Sequence, residues 1–240
     1  MKKAASKTQI DRLGDRLRRG ALVEADIRML DEYRRSFGEA YENVVRTIRE
    51  RLQLDPTGRP AKSTGSIIDK LKRESIRLSQ VQGIAGCRIV CNGRARTGPR
   101  RRFGVSSLPW SIGGRPPRDP QSWLSCGYVI ESIGGQLIEI QIRSRLQHLW
   151  AELSEKFSDI ADPAIKYGGG SENIRELLTG ASAIVDMYEQ AEKISASSAE
   201  EPSGAPSVTA TQETLTNMRE DLAHILTDLT ATLERGKPGE

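Results

Sequence analysis

Polar side chains alternate with isoleucines in residues 137–143. The polar positions are Glu139, Gln141 and Arg143. Because successive side chains of a strand point to opposite faces, the alternation predicts a strand with one buried face and one polar face. A carboxylate, an amide and a guanidinium in a row are poor strand formers, so they favour a binding site for a charged ligand. An ordinary solvated strand face is the alternative.

A second set of candidate residues is basic. Its members are Lys62, Ser66, Lys70 and Arg73. They are spaced by four, four and three positions, which places them on one face of a helix that starts near Ser63. An ammonium and a guanidinium can bind phosphate with different geometries, although basic helix faces are usually just solvated. The chain has no G-x-x-x-x-G-K-[ST] loop, so nucleotide binding cannot rest on that mechanism.

The elements that position these groups follow from periodicity. Apolar residues recur every three or four positions in 146–157, so a helix follows the polar-faced strand almost without a loop. Residues 84–91 are almost wholly apolar, as in a central strand, and Arg88 inside that run needs a partner. A helical pattern covers residues 21–54 and ends at the turn cluster 55–58.

Composition narrows the class of protein. No apolar run among the 240 residues approaches a membrane span or a signal peptide, which predicts a cytoplasmic protein without a membrane partner. Three cysteines and two histidines lack metal-ligand spacing, which argues against a zinc site or a disulfide framework. The net charge of +4 is local, because residues 92–126 carry +6 and the remainder −2. A nucleic-acid partner is therefore not expected.

Three blocks of sequence resemble the RelA/SpoT-type alarmone synthetases. The first is E-I-Q-I-R-S in residues 139–144 followed by Q-H-L-W-A-E in 147–152. The second, K-S-T-G-S-I-I-D-K-L-K-R in 62–73, is similar to the family's ATP-binding helix, and I-A-G-C-R-I-V in 84–90 resembles its first core strand. The resemblance implies an α+β fold of the nucleotidyltransferase-like type. It predicts a mixed β-sheet of about five strands, flanked by helices and followed by C-terminal helices.

The resemblance also implies an activity. Members of this family move pyrophosphate from ATP to the ribose 3′-hydroxyl of GDP or GTP and use Mg²⁺. By the same resemblance, Glu139 contacts the metal or activates the hydroxyl, and Gln141 and Arg143 orient the acceptor nucleotide.

The remaining nucleotide-binding assignments are carried by the other two blocks. Lys70 and Arg73 would bind the ATP phosphates, and the family arginine that matches Arg88 packs on the adenine ring. The predicted nucleotide site also includes Lys62, Ser66 and His148. A helix-surface role is the commoner alternative for the histidine, which lies near Glu152 at i+4.

One residue departs from the family pattern. Alarmone synthetases carry an aspartate two residues before the A-G pair, where it binds Mg²⁺, and this chain has Gly83. Glycine offers no side-chain oxygen to a metal that prefers carboxylates. The sequence therefore predicts little or no alarmone synthesis.

Residues 96–127 suggest a shifted reading frame. The overlapping segment 92–126 holds five of the eleven prolines and two of the three tryptophans. A long loop of this composition is not expected in the middle of a sheet domain. With permitted codons, reading one nucleotide later yields E-Q-D-R-V-V-A near its start and H-G-Y-R-A-V near its end. The second string contains the family's acceptor motif, so we advance the frame shift as a hypothesis and assign no role to Tyr128.

The chain divides into five predicted segments. They are an N-terminal tail or helix at 1–20, the synthetase-like domain at 21–170, a helix at 171–194, a flexible linker at 195–212 and an amphipathic helix at 213–240. The last helix has a narrow apolar stripe, suited either to a homo-oligomer or to docking back on the domain.

Three alternatives to an impaired synthetase stay open. The chain could be a catalytically dead nucleotide-binding or assembly subunit. It could instead be a damaged gene product. It could also resemble toxic relatives that modify transfer RNA, because the 96–127 segment would set the choice of acceptor.

Overall fold

A computed structural model describes residues 5–20, 22–59, 62–91, 112–113, 126–131, 135–198 and 207–235. The predicted frame-shifted segment lies outside these residues, apart from the backbone of 112–113 and 126–127. The described chain forms two compact units, each treated by itself. The sheet unit contains residues 5–89, 112–113 and 127–142, and the helical unit contains 90–91, 126 and 143–235.

The sheet unit opens with four helices, each placing an apolar stripe in the core. Helix α1 spans Lys7–Arg19, α2 Glu24–Arg35, α3 Gly38–Leu52 and α4 Thr64–Arg73, followed by a 3₁₀ turn at Leu78–Gln80. Their stripes are fully or almost fully buried: Leu13, Leu17, Leu30, Ile48, Ile67, Leu71 and Leu78.

The single helix predicted over residues 21–54 is wrong, because the chain breaks between α2 and α3. At the break the Ser36 hydroxyl donates to the carbonyl oxygen of Tyr33 at 2.6 Å. Phe37, next along the chain, is only 4% exposed, and its ring meets the Tyr33 ring edge-on at 5.2 Å. The break lets Phe37 enter the core, and Gly38, a poor helix former, begins the next helix.

Among the described residues, the sheet has five strands in the order β1-β2-β5-β4-β3. They span Thr57–Arg59, Ala85–Cys91, Ile112–Gly113, Cys126–Glu131 and Leu137–Ser144. β1 runs antiparallel to β2, and β3 runs antiparallel to β4. The mixed sheet flanked by helices confirms the predicted α+β class.

The predicted strand-to-helix passage is confirmed. β5 ends at Ser144 and α5, Arg145–Ile160, begins at the next residue. Ile138, Ile140 and Ile142 are buried, as their alternation predicts. Glu139 and Gln141 are half-buried on the opposite face.

The helical unit packs three long helices around one apolar cluster. α5 is followed by a 3₁₀ turn at Pro163–Tyr167, then α6, Glu172–Ser198, and α7, Ser207–Arg235. The α6 and α7 bounds extend into the range predicted as linker, whose middle lies outside the described residues. The cluster unites side chains from all of these elements: Leu146, Leu153, Ile165, Leu178, Val185, Tyr188, Ala223 and Leu226.

Ion pairs and a hydrogen bond connect α7 to its neighbours in this unit. Lys156 pairs with Glu234 at 2.7 Å, and Arg145 pairs with Glu220 at 2.8 Å. The Tyr188 hydroxyl lies 2.8 Å from the carbonyl oxygen of an α7 residue. Of the two roles left open by the terminal stripe, docking back on the domain is therefore present. Within the described part of the chain, no helix is long and apolar enough to cross a bilayer.

Candidate functional site

The basic helix α4 is held at its start by two contacts. The helix starts after Ser63, as the sequence predicts, and Ser63 caps it: its hydroxyl accepts from the Ser66 N–H at 3.3 Å and donates to the Ser66 hydroxyl at 2.8 Å. The Lys62 N–H donates to the carbonyl oxygen of Ile84, just before β2. The helix start is thus tied to the strand that carries Arg88. The Ser66 hydroxyl takes part in the cap.

Lys70 reaches from α4 to the turn that precedes β2. Its ammonium donates to the carbonyl oxygen of Gln82 at 3.2 Å. Gln82 is followed by Gly83, which adopts a left-handed φ of 75°. Glycine takes this conformation without the steric cost that a side chain would add. The Lys70 ammonium therefore lies at the turn formed by residues 82–83.

The Glu139 carboxylate lies against the same turn. A Cβ atom added at Gly83 would overlap Oε2 of Glu139, which is the far end of a flexible side chain. A Cβ atom at Gly86 would lie 3.2 Å from the Glu139 Cβ. The position where the resemblance expects an aspartate therefore lies directly against the Glu139 carboxylate. The turn also brings Lys70 and Glu139 to one corner of the sheet unit.

Gln141 and Arg88 extend this corner along the sheet. The Gln141 amide donates to Oε1 of Glu139 at 3.2 Å. Gly86 adjoins Glu139, and Arg88 follows it two residues later on β2, so alternation puts Arg88 on that sheet face as well. A carboxylate, an amide and a guanidinium thus share one face in the sheet unit.

Arg73 lies one turn after Lys70, at the end of α4. Its guanidinium is 3.3 Å from the neighbouring Glu74 carboxylate, and its side chain is 37% exposed. Opposite charges that are this exposed attract each other only weakly.

The thiol beneath this face is inert. Cys87 is 4% exposed, and burial, with a smaller contribution from the charge of Glu139, raises its pKa to about 12. A thiol with such a pKa stays protonated at neutral pH, so Cys87 is not a nucleophile.

The described residues contain no group of three acidic, histidine or cysteine side chains that could hold a metal ion. At the 82–83 turn the only side-chain carboxylate that meets position 83 is Glu139. Mg²⁺ is commonly held by one or two carboxylates plus substrate phosphates. Glu139 alone could therefore contact a magnesium ion that arrives bound to a nucleotide.

Arg143 and His148 belong to the helical unit. Arg143 is 9% exposed at the end of β5. The His148 ring lies 3.6 Å from the Glu152 carboxylate, with 25% of the histidine side chain exposed. The i+4 proximity expected from the sequence is present, which suits a helix-surface role as well as a ligand contact.

Glu189 on α6 is a residue that the sequence analysis missed. Its carboxylate accepts from the Ser144 hydroxyl and, at 2.8 Å, from the Gln147 side-chain amide. Burial raises the pKa of Glu189, and the two hydrogen bonds oppose that shift. Ser144 and Gln147 form a reciprocal capping box at the start of α5. The S-x-x-Q spacing of residues 144–147 could have predicted the capping box. No nearby sequence pattern indicates that Glu189 contacts it.

Comparison with known proteins bears on the fold. No family model matches the chain, and no curated protein matches its sequence significantly. Solved structures do match: small alarmone synthetase 1 from Bacillus subtilis is 20% identical, with a TM-score of 0.56, over 72% of this chain and 98% of that one. The chain has the fold of the small alarmone synthetases.

Two further solved structures match the fold of this chain. The Bacillus subtilis protein bound to AMPCPP, 20% identical, has a TM-score of 0.54 over 72% of this chain and 100% of that chain. A GTP pyrophosphokinase family protein from Streptococcus pneumoniae, 22% identical, has a TM-score of 0.51 over 70% of this chain and 91% of that one. The neighbours span most of their own length on this chain, so the likeness covers a whole domain.

Proposed function

We propose that this chain is a cytoplasmic RelA/SpoT-type protein that binds ATP and GDP or GTP but transfers pyrophosphate to the 3′-hydroxyl only weakly. The single observation that carries the proposal is the turn at Gly83. The Lys70 ammonium contacts the carbonyl oxygen of Gln82 and the Glu139 carboxylate lies against Gly83, which suits a phosphate and metal site, but the position facing the carboxylate has no side chain.

Nucleotide binding is supported by the charges around this turn. Lys70 and Arg73 lie one helical turn apart on α4 and can contact successive phosphates as a point charge and a planar fork. Arg88 shares the Glu139 face, and the family resemblance supports a role for it in packing on the adenine ring. A bacterial structure of the same fold holds the ATP analogue AMPCPP, and another holds the product pppGpp.

Weak transfer is supported by the missing carboxylate. Transfer of this kind depends on positioning the phosphates and neutralising their charge rather than on covalent chemistry by the protein. Loss of one metal ligand worth several kcal/mol lowers the rate on the order of 10²-fold or more. By the family resemblance, Gln141 would still orient the acceptor nucleotide, and Glu139 would still contact the metal or activate the hydroxyl.

The test restores the missing oxygen. Gly83→Asp supplies a carboxylate, whereas Gly83→Asn supplies the same shape without charge. Both residues tolerate a left-handed φ better than other side chains do, and Glu139 can swing aside. We expect wild type and Gly83→Asn to bind ATP with background synthesis, and Gly83→Asp to bind Mg²⁺-ATP more tightly and to make alarmone. Robust synthesis by wild type would contradict the proposal, and so would a failure to bind ATP.

A second candidate function is a binding or assembly subunit without catalysis. Exposed apolar side chains recur along one face of α6, and the largest exposed fractions are 70% at Met187 and 68% at Ile194. Such exposure favours self-association. We propose a homo-oligomer through the C-terminal helices. Light scattering should show a multimer that Met187→Lys dissociates, and a wild-type monomer at micromolar concentration would exclude it.

A further inference from the structure

Glu189 contacts the point where β5 becomes α5. Ser144 is the last residue of the strand and the cap of the helix. The Ser144 oxygen accepts the Gln147 N–H at 3.1 Å, and the Gln147 side-chain oxygen accepts the Ser144 N–H at 3.0 Å. Both residues are 7% exposed. The capping box is therefore complete and buried before Glu189 is considered.

The completed box still presents two donors to the protein interior. The Ser144 oxygen is occupied as an acceptor, which leaves its O–H to donate, and the Gln147 oxygen is occupied, which leaves its NH₂ group. Buried donors are costly unless they meet acceptors. A carboxylate offers two acceptor oxygens and no donor, and Glu189 places one oxygen on each group.

We propose that Glu189 is a positioning residue for Arg143 and His148 within the helical unit. By holding Ser144 and Gln147 it fixes the start of α5. Arg143, directly before the cap, and His148, in the first turn of the helix, take their placement from that cap. The proposal rests on the proposed nucleotide binding for its effect on ligand affinity, but not for its effect on Arg143.

A purely structural cap would not require an acceptor on another helix. A capping box satisfies the first backbone donors of a helix by itself. Glu189 adds a tie to α6, 42 residues from Gln147 in sequence, at a cost in buried charge that is reflected in its raised pKa. The tie acts on the start of α5, directly after Arg143, which is 9% exposed.

The first experiment measures the solvent exchange of the Arg143 side-chain N–H in the absence of nucleotide. In the full chain labelled with ¹⁵N-arginine, Arg143→Lys identifies the Nε–H signal of Arg143. We expect slow solvent exchange in wild type and at least tenfold faster exchange in Glu189→Ala. Asp186→Asn, which removes an exposed carboxylate from the same helix, should leave the exchange unchanged. Equal exchange in wild type and Glu189→Ala would overturn the proposal.

The second experiment is a double-mutant cycle on ATP affinity with Glu189→Ala and Arg143→Lys. If Glu189 acts through Arg143, each variant should weaken ATP binding on the order of tenfold and the double variant no further. Glu189→Gln keeps one acceptor and should fall between wild type and Glu189→Ala. Additive losses in the double variant would overturn the role through Arg143. If wild type binds no ATP, the proposed function fails and the exchange measurement alone decides the role of Glu189.

Discussion

Two ion pairs of the helical unit contrast with two charges at the 82–83 turn of the sheet unit. In the helical unit Lys156 pairs with Glu234 and Arg145 with Glu220. At the 82–83 turn of the sheet unit, Lys70 contacts a backbone carbonyl and Glu139 contacts a neutral amide.

Side chains that form ion pairs serve the structure, whereas charged side chains with neutral partners stay available to a ligand. An ion pair between helices neutralises both members and favours their docking. A charge whose hydrogen bonds go to neutral groups keeps its field, which can attract a charge of opposite sign. The sheet unit holds such charges of both signs at one turn, as a phosphate with a bound cation would require. Nucleotide binding should therefore be most sensitive to these two charges, and folding should be most sensitive to the apolar contacts of the helical unit.

The largest effect should come from the helical core. Leu153 is fully buried in the three-helix cluster, and Leu153→Ala should lower the free energy of unfolding by about 3 kcal/mol. Leu229→Ala, at a position that is 38% exposed, is the matched control and should cost well under half as much. Urea unfolding measures both. Similar losses in the two variants would mean that the cluster does not carry the fold of this unit.

Removing the ammonium at the turn should be the largest effect on binding. Lys70→Met should weaken ATP binding about thirtyfold, because a charge-assisted contact to phosphate is lost. Lys72→Met removes an exposed ammonium from another face of the same helix and should change affinity less than threefold. Titration calorimetry compares the two variants. If they bind ATP equally weakly, the site is a general positive field and not the 82–83 turn.

Neutralising Glu139 should have a smaller effect that depends on the metal. Glu139→Gln should weaken Mg²⁺-ATP binding on the order of tenfold, because one metal-contacting oxygen loses its charge. Without Mg²⁺ the same variant should bind ATP at least as tightly as wild type, because a carboxylate repels phosphate. Affinities measured with Mg²⁺ and with a chelator decide this. A loss of equal size in both conditions would assign Glu139 a role other than metal contact.

The smallest expected effect is a pH dependence of stability from Glu189. Its pKa is raised above the ordinary value of 4.5 in the folded protein, chiefly by burial. The folded state therefore holds its proton to higher pH than the unfolded chain, so the free energy of unfolding decreases as pH rises from about 4.5 through the raised value. Glu189→Gln should remove this part of the decrease. Parallel stability curves for the two proteins across that window would contradict the prediction.

Local sequence determined the elements of this protein. The alternation in residues 137–143, the change to helical spacing after it and the cap at Ser63 depend on near neighbours, and the structure has each of them. The same local rules missed the break at Phe37, because burial of that ring in the core outweighs the helical periodicity around it.

Only tertiary structure decided which of these elements meet. Gly83 lies against Glu139, 56 residues away along the chain, and Gln147 meets Glu189 after 42. Neither pairing has a local signal, since a glycine in a turn and a glutamate on a helix are ordinary residues. The sheet joins the first pair and the helix packing joins the second, because packing brings distant segments together regardless of their separation in sequence.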